Sequence, residues 1–95
     1  MSEPFAADLA HTPRSLRVRL DLTQARVAEI ADVEVQTVAA IEAGDQGVGM
    51  PSLTAVARAL QVPLLVLVAA WERVRDARIA REAAEKPRRT KQATR

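Results

Sequence analysis

The sequence predicts an all-α fold, and three observations carry that expectation. Thr12, Thr23 and Ser52 each precede a stretch whose apolar residues recur at three- and four-residue spacing, the pattern of a capped amphipathic helix. Leu, Val, Ile and Ala supply the apolar content, while Phe5 and Trp71 are the only aromatic residues. Such a set suits small, closely packed helices better than a sheet. At 95 residues the chain is expected to form one domain with a tail.

The first helix is predicted from Pro13 to Asp21. Thr12 is its N-cap, and Pro13 fits the first helical position, where an N–H would have no partner anyway. This helix should bury Leu16, Leu20 and part of Arg17, and Leu22 then bridges to the next. A second helix opens at Thr23 and ends near Ala31, with Val27, Ala28 and Ala31 on one face. After a tight turn at Asp32-Val33, a third runs from about Glu34 to Ala43. Val38, Ile41 and Thr37 face inward there, and Val35, Gln36, Ala39 and Ala40 are left largely outside. Two crossed helices joined by so short a turn, with small Ala28 at the crossing, read as a helix-turn-helix. An ordinary helical corner inside a small core is the alternative.

Gly44 closes the third helix as its left-handed terminator. A loop with two glycines follows, DQGVGMP, without Lys or Arg. Ser52 is expected to cap a fourth helix, Leu53 to about Leu60, whose apolar face is Leu53, Val56, Ala57 and Leu60. Pro63 starts a fifth, in which Leu64, Leu65, Leu67 and Val68 are apolar on more than one side. Trp71, Val74 and Arg75 continue its stripe, and Lys86-Pro87 should end it. The remainder, PRRTKQATR, reads as a flexible basic tail. The expected organisation is an N-terminal arm over 1–12, a helix-turn-helix domain with its fifth helix over 13–77, and a basic helix extension with a disordered tail over 78–95. In the arm, Phe5, Leu9 and Ala10 mark a loose turn that either frays or packs on the domain or a partner.

Charge is unevenly placed. Residues 1–77 carry seven Arg against ten Asp and Glu, whereas residues 78–95 carry seven Arg and Lys against Glu82 and Glu85. The basic character therefore belongs to the C-terminal end. With no cysteine, disulfides and thiolate chemistry are excluded, and a reducing compartment fits. His11 is the only histidine, has no metal-ligand set around it, and is expected at the surface; neither a metal nor a cofactor is expected. The start, MSEPFAADLAHTP, is acidic and lacks the basic start and apolar core of a signal peptide, so a cytoplasmic location is expected. The longest apolar run, Val62 to Trp71, is about half of a membrane span and includes Pro63. No nucleophile–base pair or phosphate-cradling loop points to an enzyme.

Taken together, LRVRLDLTQARVAEIADV, TVAAIEAG and PSLTAVARALQVPLLVL make residues 16–67 resemble the Cro/C1-type helix-turn-helix domain of phage repressors and many small bacterial regulators and antitoxins. The resemblance implies a five-helix globule whose third helix enters the DNA major groove, usually as a dimer on a two-fold operator. It implies a phosphate contact for Gln24 at the start of the second helix, where free amides also attract anions. Val35, Gln36 and Ala40 match positions that face base edges, with Thr37 beside them, and only Gln36 has the donor and acceptor needed to read adenine. Arg17 and Glu42 match a pair that bridges the first helix to the end of the third. Asp32 stands where the family usually has a left-handed glycine, and Glu34 where it has a Ser or Thr cap.

Two functions follow from these readings. The first is a sequence-specific double-stranded DNA-binding transcriptional regulator, a repressor or antitoxin-like autoregulator. Arg14, Arg26 and the tail residues Arg88, Arg89 and Lys91 are its further phosphate candidates. Its homodimer is expected to form through Val68, Trp71 and Val74, with an exposed Trp71 indole at the centre; the alternative is a Trp71 that folds back onto the first helix or Phe5 and fills the monomer core. The second is a protein-interaction module on the same fold, using the nearly uncharged third helix and the stripe on the fifth against a protein partner.

Overall fold

The structure, a computed structural model, describes residues 11–93 and the side chains as far as Glu85. Among these residues the chain forms α1 (Pro13–Arg19), α2 (Gln24–Ala31), α3 (Val35–Glu42), α4 (Met50–Ala59) and α5 (Leu64–Ala93), with no strand. The N-terminal arm as far as Ala10 lies outside the described residues.

Local chemistry fixes most of the boundaries. Thr12 and Ser15 form a reciprocal capping box at α1, each side chain accepting from the other's backbone N–H. Thr23 Oγ1 accepts the Arg26 N–H at 3.0 Å and starts α2. Asp32 ends α2 in the left-handed region at φ 59°, a conformation a short polar side chain tolerates. Glu34 precedes α3 without a side-chain cap bond. Gly44 follows α3 at φ +73°, its N–H bonded to the Ile41 carbonyl.

Four boundaries differ from the sequence expectation. α1 stops at Arg19, because Asp21 turns left-handed at φ 60°. α4 begins at Met50 with Gly49 as its uncapped N-cap, so Ser52 is inside the first turn. The reason is Pro51, whose fixed φ suits a first turn and whose missing N–H loses no bond there. Pro63 lies just before α5, its carbonyl accepting from Val66 and Leu67. Finally, α5 does not end at Lys86-Pro87 but continues to Ala93. One proline removes a single donor and clashes with one turn, while the Ala, Glu, Lys and Arg around it are strong helix formers.

The core is one cluster drawn from every helix. Leu16, Val27, Val38, Ile41, Leu53, Val56, Ala57, Leu60 and Leu67 are buried as their spacing predicts, joined by Val62 and Ala70. Each large member contributes about 1.5–3 kcal/mol through burial. α2 packs against both α3 and α4, and α5 lies against α4, with further contacts to α1 and α3. No single described helix is long and apolar enough to cross a membrane.

α5 meets the end of α3 backbone to backbone. A Cβ on Gly44 would stand 2.6 Å from the Arg75 nitrogen and 2.8 Å from the Val74 carbonyl carbon. Only glycine combines that approach with a positive φ. Gly44→Ala is therefore expected to lower stability by about 2–4 kcal/mol, the sum of left-handed strain and overpacking. Urea unfolding measures it as a lower midpoint at unchanged slope.

Candidate nucleic-acid interface

Three helices meet at one ionic cluster. The Arg17 guanidinium on α1 donates from Nε to Glu42 Oε2 at 2.5 Å and from Nη2 to Glu42 Oε1 at 3.1 Å. Its Nη1 donates to the Leu22 carbonyl at 2.8 Å. From α2, Gln24 Nε2 donates to the same Glu42 Oε1 at 2.9 Å. The two charged side chains are only 13% and 10% exposed, so solvent screens them little. Glu42 holds the Arg17 pKa above its ordinary value by hydrogen bonding first and by its charge also, against the opposing effect of burial. The expected Arg17–Glu42 bridge is thus present, and Gln24 is part of it. Gln24 was expected at phosphate; one of its amide hydrogens is used on Glu42, and the second stays available.

This cluster fixes α2 and α3 relative to one another and so fixes what α3 presents. Val35, Gln36 and Ala39 are exposed, and Thr37 and Ala40 are half-buried. Gln36, Thr37 and Ala40 form one wall of an open groove of about 310 Å³; Asp45, Gly47, Val48, Gly49 and Ser52 complete it. Sequence reasoning missed that second wall. Its only signal was the position of Asp45, directly after the glycine that ends α3.

The cations lie elsewhere. No Lys or Arg occurs between Arg26 and Arg58, a span containing Glu29, Asp32, Glu34, Glu42 and Asp45. Arg17 neutralises Glu42, and Arg26 pairs with Glu29 at 2.7 Å on the exposed face of α2. Asp32, Glu34 and Asp45 are in no ion pair among the described residues. Arg14 is exposed at the start of α1. Arg88, Arg89 and Lys91 fall in the last turns of α5, and their side chains lie outside the described residues.

Two expectations need correction here. His11 is half-buried rather than plainly at the surface, with Nδ1 3.5 Å from Ser15 Oγ. Trp71 is not a bare exposed indole. It is half-buried against the core, donates Nε1–H to the Asp45 carbonyl at 3.0 Å, and is covered by Arg75, whose Cζ is 4.9 Å from the ring centroid. The α3–α4 loop supplies a main-chain acceptor that sequence separation hides. Val68 and Val74 beside it are half-buried as well.

A helix-turn-helix family model matches residues 14–67, which spans α1 to the first turn of α5. The chain belongs to the Cro/C1-type helix-turn-helix family. No curated protein and no solved structure matches it. A DNA-binding, regulatory role goes with this family's fold, in which α2 and α3 are the helix-turn-helix pair.

The cluster at Glu42 yields a direct prediction. Glu42→Gln removes the counter-charge and one of the three acceptors that the Arg17 guanidinium uses, in a poorly hydrated site, and should destabilise by about 2–3 kcal/mol. Because the Arg17 pKa is raised, its stabilising effect is complete below the unfolded value and is lost only as pH rises through the folded one. That window is strongly alkaline, so the Arg17 contribution should be flat from about pH 6 to 9. Thermal unfolding of the wild type and of Glu42→Gln across that range measures both.

Proposed function

We propose that this chain is a sequence-specific double-stranded DNA-binding transcriptional regulator, acting as a homodimer on a two-fold site. The single observation that supports this most is the outward face of α3, with Val35 and Gln36 exposed at its start in a family whose fold binds DNA. Gln36 is the main base-reading residue, able to pair with adenine through both ends of its amide. Val35, Thr37 and Ala40 make apolar or weak polar contacts beside it. Gln24 reaches phosphate from the start of α2, its free amide hydrogen aimed by the bond to Glu42. A repressor or antitoxin-like autoregulator is the form of regulator these features suit.

Phosphate neutralisation supplies much of the affinity in protein–DNA complexes. Residues 13–62 carry five Arg against six Asp and Glu, so the helix-turn-helix region alone binds duplex weakly. Dimerisation and the basic C-terminal end make up the difference, with Arg14, Arg26, Arg88, Arg89 and Lys91 as phosphate contacts. The same charge distribution favours a second reading, a protein-interaction module. A cation-free α3 with Asp32, Glu34 and Asp45 around it, none in an ion pair among the described residues, suits a protein partner better than a polyanion.

Selection from a random duplex pool, with the full chain and with a chain lacking residues 86–95, separates the two readings. The regulator enriches one motif with two half-sites about one helical turn apart. Removing residues 86–95 weakens all duplexes about equally and flattens the salt slope. Gln36→Ala relaxes preference at one base pair, at a cost of roughly 1–3 kcal/mol. If the full chain enriches no motif and its binding disappears with the tail, the protein-interaction reading replaces this one.

A further inference from the structure

The α3–α4 loop is held from α5 at two consecutive residues. Gly44 lies directly on the Val74-Arg75 backbone, too close for any side chain between them. One residue on, the Asp45 carbonyl accepts the Trp71 indole N–H at 3.0 Å. Asp45 in turn organises the loop, its Oδ1 accepting the Gly47 N–H at 2.7 Å. The Arg75 guanidinium lies over the indole in a cation–π contact. Trp71 is half-buried against the core, and its N–H goes to a main-chain acceptor in a loop and not to a group within the core.

That loop is the second wall of the groove beside the recognition helix. Asp45, Gly47, Val48 and Gly49 face Gln36, Thr37 and Ala40 across it. From these contacts we infer that Trp71 is a positioning residue for base reading, its N–H fixing the loop wall and hence the space in which Gln36 meets a base edge. The inference rests on the DNA-binding reading above. Specific contacts need their supporting groups held to within about half an ångström, and a glycine-rich loop does not hold itself.

The test uses the full chain, with Trp71→Phe, which keeps a ring without the N–H, and Arg75→Ala, which uncovers the indole but leaves its N–H. Two quantities are measured: amide hydrogen exchange at residues 46–49, and the ratio of affinities for the selected duplex and for one altered at the Gln36 base pair. Trp71→Phe should speed exchange in the loop and lower the ratio about three- to tenfold, the equivalent of one net hydrogen bond. Affinity for the altered duplex should change little, the melting temperature should fall by only the few degrees that one net hydrogen bond is worth, and Arg75→Ala should keep the wild-type ratio. Retention of the ratio by Trp71→Phe overturns the inference. So does an equal loss in both variants, which would reduce the effect to helix packing, or a Trp71→Phe chain that fails to fold, which would make Trp71 a core residue. A wild type with no sequence preference removes the DNA-binding reading itself, and that is seen before any variant is compared.

Discussion

The bidentate contact between Arg17 and Glu42 is the constraint on which the other features depend. Its two charges come from the first and third helices, twenty-five positions apart in sequence, and each is nearly buried. A lone charge in that place would be strongly unfavourable, so neither helix can move without the other. The Leu22 carbonyl and the Gln24 amide complete the shell and bring the start of α2 to the same point. Apolar packing of Leu16, Val27, Val38 and Ile41 supplies the driving force beneath it, but packing alone is compatible with small rotations. The ionic cluster removes that freedom and sets the angle at which α3 faces outward.

Orientation and attraction are thereby assigned to different parts of the chain. The helix-turn-helix region is nearly neutral and poor in cations, while residues 78–95 carry the positive charge, most of it on α5, which runs to Ala93. In the proposed regulator, selectivity depends on a few hydrogen bonds and on shape, because little indiscriminate phosphate attraction comes from α3. Such a regulator has low affinity for each isolated half-site and depends strongly on a second copy or on the C-terminal helix.

Much of this was legible in the sequence, because the governing chemistry is local. Caps at Thr12 and Thr23, the left-handed Asp32 and Gly44, and the spacing of Leu53, Val56, Ala57 and Leu60 each depend on residues within one or two turns. Ser52 misled for the same local reason: a good capping residue was outweighed by Pro51 one position earlier, which belongs in a first turn. Pro87 misled in the opposite direction, as a breaker placed among strong helix formers. The partner of Trp71 was not legible at all. Its acceptor is a main-chain carbonyl twenty-six positions away, and a carbonyl carries no residue-type signal. The groove wall at Asp45, Gly47, Val48 and Gly49 was hidden as well, since it depends on how the α3–α4 loop folds back beside Gln36.

The most direct test of the account is a backbone amide shift titration of the full chain with a duplex obtained by selection, followed residue by residue. The account predicts the largest changes at the start of α3, from Val35 to Ala40, and at Gln24, with smaller ones in residues 45–49 and in the basic end of α5. Changes confined to residues 78–95, with α2 and α3 unmoved at saturation, would contradict it.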